Sequence, residues 1–285
     1  KLILFKKILK KKTNIVLDKN IKEFKTLKKI AKNRTLKVVE ISKLIKKITN
    51  VFLNMNSEFK IKNLAMAVMA AKLCNLKDKK IFKSLKNIKD VSGRVELVKI
   101  FPNNIKVFID YAHTPDALSK VLQFLEANYG RNISLVFGCG GDRDKKKRSL
   151  MAKVANKYSK KIYVTDDNPR NEEPKKIRNE IISKINSKNC FNIGNRAEAI
   201  KKAIMNSENN EVVLIAGKGH EDKQIYKDKI FFTSDKKIVK NFKLKIKFLS
   251  KKKLNYLQNK FILKKIQRNN KIQNFEGLAA DSRMV

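Results

Sequence analysis

The feature that most constrains this chain is the alternation of short apolar runs with helix-patterned segments between residues 107 and 216. Residues 107–110, 133–137, 162–165 and 212–216 each read as a short strand buried on both faces. Helix patterns separate them. Ala117, Leu118, Val121, Leu122 and Leu125 recur at helical spacing, and residues 150–158, 177–185 and 197–205 repeat the pattern. Thr114 followed by Pro115 supplies a capping hydroxyl and a proline at the first helical position. Parallel strands need crossover helices of this kind, so the expected fold is α/β, with a doubly wound, mostly parallel sheet. Ligands of such sheets sit at the carboxyl ends of the strands.

Upstream the alternation is looser. A helix end at 2–9, strands at 14–17 and 36–41, and helices at 21–31, 61–73 and 81–88 are expected, again an α/β layer pattern. The Ala- and Met-rich stripe of 61–73 reads as core. A domain boundary is expected near residues 90–93. From about 244 to 271 the chain is rich in Lys, Asn and Ile without Gly or Pro, the composition of a basic helix or linker, and its character changes again at 275–285.

Four loops follow the strands of the second region, and all should lie on one sheet edge. The first, Asp110-Tyr111-Ala112-His113-Thr114-Pro115, holds a carboxylate, an aromatic ring and an imidazole suited to a nucleotide; a capped turn with a satisfied histidine is the plainer reading. In the second, Gly138-Cys139-Gly140-Gly141-Asp142-Arg143, glycines allow close backbone approach and Arg143 can fork onto a carboxylate or phosphate. The third, Thr165-Asp166-Asp167-Asn168-Pro169-Arg170, complements a zwitterion: carboxylates for an ammonium, a guanidinium for a carboxylate, and Pro169 to stiffen the turn. The fourth is Gly217-Lys218-Gly219-His220-Glu221-Asp222. No Gly-x-x-x-x-Gly-Lys-Ser/Thr loop occurs in the chain.

Composition excludes some classes. With 42% apolar residues the chain can build cores, so wholesale disorder is not expected. The longest apolar run, residues 64–71, is far short of the roughly 20 residues of a membrane span, and no signal peptide is legible at the start. Three scattered cysteines suit a reducing compartment rather than a disulfide framework. Sixty-eight Lys+Arg against 26 Asp+Glu give a net charge of +42. Because Lys is spread through almost every segment, the charge reads as a lysine-biased composition rather than a nucleic-acid patch.

DYAHTPDAL, VFGCGGDRDKKKR, TDDNPR and AGKGHED, in this order and spacing, resemble the C-terminal domain of the Mur ligases over about residues 93–241, most closely the diaminopimelate-adding type. Residues 1–90 resemble, more weakly, the end of that family's central ATPase domain. The resemblance implies domains at 1–90 and 93–243, a basic linker at 244–274, and at 275–285 the start of an N-terminal-like Mur domain. It implies an ATP- and Mg²⁺-dependent amide ligase of peptidoglycan precursor synthesis, and with it of cell-wall biogenesis, cell shape and division. The substrates implied are UDP-N-acetylmuramoyl-dipeptide and meso-diaminopimelate, joined through an acyl phosphate. Arg143, Asp167, Asn168, Pro169, Arg170, Gly217 and Glu221 match diaminopimelate-binding positions. Arg94 and Asp110, with His113 beside them, match positions facing ATP. Lys1 matches a carbamylated lysine that supports Mg²⁺, and Ser282 a residue that touches the uridine nucleotide. No direct metal ligand is implied.

The family's ATP-binding loop would lie before Lys1, so the chain is expected to be a fragment inactive alone, or part of a tandem fusion or rearranged sequence. A cytoplasmic monomer without nucleic-acid or membrane partners is expected. The alternatives are a lysine-adding Mur ligase, against which Asp-Asn-Pro-Arg argues, and a basic nucleic-acid-binding protein.

Overall fold

The computed structural model describes residues 13–51, 58–85, 87 and 91–244. Lys1, Ser282, the helix expected at 2–9, the linker beyond residue 244 and the segment 275–285 lie outside them.

The chain builds two bodies of α/β structure. In the first, β1 (Asn14–Leu17) and β2 (Lys37–Glu40) pair in parallel around α1 (Phe24–Lys32). Ile15, Leu17, Ala31 and Leu36 form a small core there. Three helices follow: α2 (Ser42–Val51), α3 (Glu58–Leu73) and α4 (Asp78–Leu85). Ile41, Leu44 and Ile48 pack against Ile61, Ala65 and Val68 of α3 and against Ile81 and Leu85 of α4. Ile61, Ala65 and Val68 of the α3 stripe are core, as its pattern suggests, whereas Met66 is 43% exposed. Helix α2 was not expected, although Leu44, Ile45 and Ile48 carry helical spacing.

The second body holds β3 (Glu96–Phe101), β4 (Ile105–Asp110), α5 (Pro115–Tyr129), β5 (Ile133–Phe137), α6 (Lys146–Tyr158), β6 (Lys161–Val164), α7 (Pro174–Ile182), β7 (Cys190–Asn192), α8 (Arg196–Met205), β8 (Val212–Ala216), β9 (Lys223–Tyr226), β10 (Lys229–Phe232) and α9 (Asp235–Asn241). Its six-stranded sheet runs β3-β4-β8-β5-β6-β7. All pairs are parallel except β3 with β4, an antiparallel edge with a register shift between Leu97 and Lys99.

Side chains alternate between two cores because successive residues of a strand face opposite ways. Phe108, Leu135, Phe137, Ile162, Val164 and Leu214 face α5, α6 and α7. Val107, Ile109, Val136, Tyr163, Val213 and Ile215 face α8 and α9. Burial on both faces is why the central strands read as unbroken apolar runs. Thr114 caps α5 through its hydroxyl, which accepts from Ala117 N at 3.3 Å, with Pro115 following it. Phe59 of α3 meets Phe124 of α5 edge-on at 6.1 Å, a contact between the two bodies.

A candidate amino-acid cleft at the sheet edge

The four loops converge. Tyr111, His113, Gly138, Gly140, Arg143, Asp144, Lys147, Asp167, Asn168, Arg170, Gly217 and Glu221 line one cleft of about 450 Å³ at the carboxyl ends of β4, β5, β6 and β8. Backbone packs on backbone beneath it. A Cβ at Gly141 would lie 1.8 Å from the Pro169 carbonyl oxygen, so only glycine lets the second and third loops touch there. Gly141 N also donates to Asn168 O at 2.9 Å.

The two carboxylates of the third loop have different duties. Asp166 is buried and engaged by the Arg178 guanidinium and by Tyr226 OH at 3.0 Å. Asp167 is half-buried, and its carboxylate has no hydrogen-bond or ion-pair partner among the described residues; it lies against Gly217 at the cleft wall. Across the cleft Arg143 is exposed and likewise without a partner among the described residues. Arg170 is partly held. Its Nη1 donates to Gly141 O at 2.9 Å and to Asn168 O at 3.2 Å, leaving Nε and Nη2 for another acceptor. Its backbone sits at φ 53°, outside the usual range for a side chain of this size.

Asn168, 7% exposed, is almost wholly buried at the cleft wall. Its Oδ1 accepts from Ile225 N at 3.1 Å and Lys218 Nζ at 3.3 Å, while Nδ2 donates to Glu221 Oε2 at 3.4 Å. Glu221 accepts at its other oxygen from Tyr111 OH at 3.1 Å. That hydrogen bond, helped by burial, pushes the Tyr111 hydroxyl above its ordinary pKa. Lys218 is the residue that sequence reading passed over. It is fully buried, and besides Asn168 and Glu221 it donates to Lys223 O. The signal was present, a lysine between two glycines in a site loop, but its burial was not legible among so many exposed lysines.

The residues expected to face a nucleotide stand differently. Asp110 is buried and does not line the cleft; Oδ2 accepts from Val95 N and Oδ1 from Ala112 N, at 2.8 and 2.7 Å. Burial raises its pKa against those hydrogen bonds. It therefore ties β4 to the turn before β3. Arg94 is exposed and lies over the Tyr111 ring at 4.8 Å, outside the cleft lining. His113 lines the cleft, with Nδ1 2.9 Å from Tyr111 O. His220 stacks on Tyr111 with ring centroids 5.6 Å apart. Pro169 contributes its carbonyl, which accepts from Glu172 N at 3.1 Å, rather than a side-chain contact. Cys139 of the second loop is buried, and desolvation pushes its thiol up to about 12.

The third loop is braced from outside, in part by elements not anticipated. Gln224 of the β9–β10 hairpin donates to the carbonyls of Asp166 and Asp167 at 3.2 and 3.0 Å. Arg196 forks onto Asp235 at 2.8 and 2.7 Å and reaches Ala216 O at 3.1 Å, with both side chains buried. Among the described residues no group of three His, Cys, Asp or Glu side chains could hold a metal ion, and no helix is long and apolar enough to cross a membrane.

Comparison with known proteins agrees with this α/β fold. Residues 93–219 match the family described as Mur ligase, glutamate ligase domain. A UDP-N-acetylmuramoyl-L-alanyl-D-glutamate--2,6-diaminopimelate ligase of Rickettsia typhi is 37% identical over 250 residues, 80% of this chain and 50% of the relative. One of the same name from Rickettsia montanensis is 45% identical over 184 residues, 64% of this chain and 38% of its own. A solved structure of a ligase of that name matches with TM-score 0.50 and 25% identity, over 80% of this chain and 52% of the other. A Mycobacterium tuberculosis folylpolyglutamate synthase complexed with ADP shares the fold, with TM-score 0.54 at 16% identity over 72% of this chain and 52% of the other. The chain spans about half the length of the curated relatives it matches.

Proposed function

Through residues 93–219 this chain belongs to the Mur ligase family, and from that premise we propose that it carries the amino-acid-binding half of an ATP-dependent ligase that adds meso-diaminopimelate to UDP-N-acetylmuramoyl-L-alanyl-D-glutamate. The reaction belongs to peptidoglycan precursor synthesis in the cytoplasm. The observation that carries this reading is the charge layout of the cleft. The Asp167 and Glu221 carboxylates share one cavity with the guanidinium groups of Arg143 and Arg170.

Diaminopimelate has an amine and a carboxylate at each end. Arg170, with Nε and Nη2 still available, offers a fork to the distal carboxylate, which lysine lacks. Arg143 reaches a second anionic group, and Asp167 and Glu221 receive an ammonium. Holding the ends of the amino acid fixes the attacking amine in place, which is this domain's contribution to rate. Asn168 and Gly217 shape the walls, and Pro169 stiffens the turn that carries Asn168 and Arg170.

ATP and the acidic acyl donor would approach from the Arg94 and His113 side, where exposed cationic or hydrogen-bonding groups suit phosphate. ATP supplies the phosphoryl group that activates the D-glutamate carboxylate. Among the described residues no group of three His, Cys, Asp or Glu side chains could hold Mg²⁺ without help from substrate phosphates. The domain limits, 93–243 for the amino-acid-binding body and 1–90 for the end of an ATPase domain, form part of the same proposal.

Isothermal calorimetry of the chain with meso-diaminopimelate, lysine and D-glutamate tests the reading. Saturable binding of diaminopimelate, with lysine clearly weaker, is expected. Equal affinity for lysine and diaminopimelate would refute the choice of substrate.

A further inference from the structure

The buried ammonium of Lys218 has no place in the account of the cleft so far. Its side chain is 0% exposed, whereas a lysine is ordinarily among the least buried residues. An ammonium removed from water must be surrounded by acceptors. Here the acceptors are Asn168 Oδ1 at 3.3 Å, Glu221 Oε2 at 3.4 Å and the Lys223 carbonyl. Two of the three belong to side chains that line the cleft.

The contact with Asn168 has a directional consequence. A carboxamide can present either end to a ligand, as a donor or as an acceptor. In this site Oδ1 faces two donors, Lys218 Nζ and Ile225 N. Rotating the amide by half a turn would set its NH₂ against an ammonium and a backbone N–H. The NH₂ is therefore held toward Glu221 and the cleft. Lys218 also lies on the same Glu221 oxygen that Asn168 reaches, so one cation orders both groups.

We propose that Lys218 is a positioning residue: from beneath the cleft it fixes the polarity of the Asn168 amide and the place of the Glu221 carboxylate, so that the site presents an N–H donor beside a carboxylate acceptor. This arrangement reads the carboxylate and ammonium of one amino-acid head. The inference rests on the amino-acid-binding reading for its ligand, while the internal geometry is testable without one.

The test uses the whole chain, labelled with ¹⁵N at asparagine and lysine, as wild type, Lys218→Met and Lys218→Gln. In the unliganded wild type, the Lys218 ammonium protons should be protected from exchange and show cross-peaks to the Asn168 amide. In Lys218→Met the Asn168 NH₂ signals should move toward those of a freely rotating amide. Diaminopimelate affinity should fall by about tenfold or more, as expected for loss of a hydrogen bond to a charged group. Lys218→Gln keeps a donor without the charge and should recover part of both. Unprotected Lys218 protons in the wild type, or Asn168 signals unchanged by either variant, would overturn the proposal, and the wild-type measurement stands even if a variant fails to fold. If the NMR changes appear but wild type does not bind diaminopimelate, Lys218 still orders the pair and the substrate assignment fails instead.

Discussion

Arg170 is held in place by its surroundings more than by its own preference. Its φ of 53° persists because its N–H donates to Ile225 O at 3.0 Å and its carbonyl accepts from Lys227 N at 2.7 Å. Arg170→Ala should weaken diaminopimelate binding by about 2–4 kcal/mol, the range for a buried charge pair left half made. Arg170→Lys should restore only part, because an ammonium cannot fork. Calorimetry on the three proteins checks both, and an unchanged affinity in the alanine variant would remove Arg170 from the contact. Glu172, two residues beyond, titrates in the opposite sense to Asp110. The Arg148 guanidinium at 2.8 Å, with the Asp142 N–H, holds its carboxyl down to about 2 despite partial desolvation. A carboxyl depressed in the folded state stabilises above its unfolded pKa of about 4.3, and that contribution is lost as pH falls toward the folded value. Between these limits the melting temperature of wild type should therefore decline more steeply than that of Glu172→Gln. Parallel declines would show that the pair is not linked to folding.

At the scale of elements, the strands and helices that touch the cleft were the legible ones. Strands β5 and β8 fall where their apolar runs end, and α5 starts at its Thr-Pro signal. The elements that brace the cleft were not legible. β9 and β10 have four residues each, and the turn between them, Lys227-Asp228, lacks the Asn-Gly or Asp-Gly pair that marks a hairpin. Lys227 takes a positive φ of 49° without being glycine. Strand β3 pairs antiparallel on an edge, and its half-exposed face gives no unbroken apolar run. The site residues were found as a set because their loops are local in sequence. The duties of Asp110 and Lys218 depend on partners about 15 and 50 positions away, which spacing does not reveal. Helix α9 supplies the clearest energetic test. Asp235→Ala would leave Arg196 buried without its counter-ion, a cost of about 3–5 kcal/mol. At about 2–4 °C per kcal/mol for a domain of this size, thermal unfolding should shift downward by about 10 °C. A shift within experimental error would mean that water reaches Arg196.

For the whole molecule, the six-stranded sheet and its two helical layers contain both large cores, and the aromatic contact of Phe59 with Phe124 bridges to the first body. Residues 93–244 should therefore fold alone, being of the usual domain size of about 100–150 residues. Circular dichroism of that segment should show one cooperative transition, and a gradual loss of signal would move the boundary upstream. The mixed charge of the cleft also sets terms for any compound designed to occupy it. Such a molecule must carry a cation and an anion at once, and shed water from both on binding, so its net affinity would depend on matching every wall group. The same permanent charges would slow its passage through a lipid bilayer. A useful blocker of this pocket would thus depend on carrier-mediated uptake or on masking groups removed after arrival.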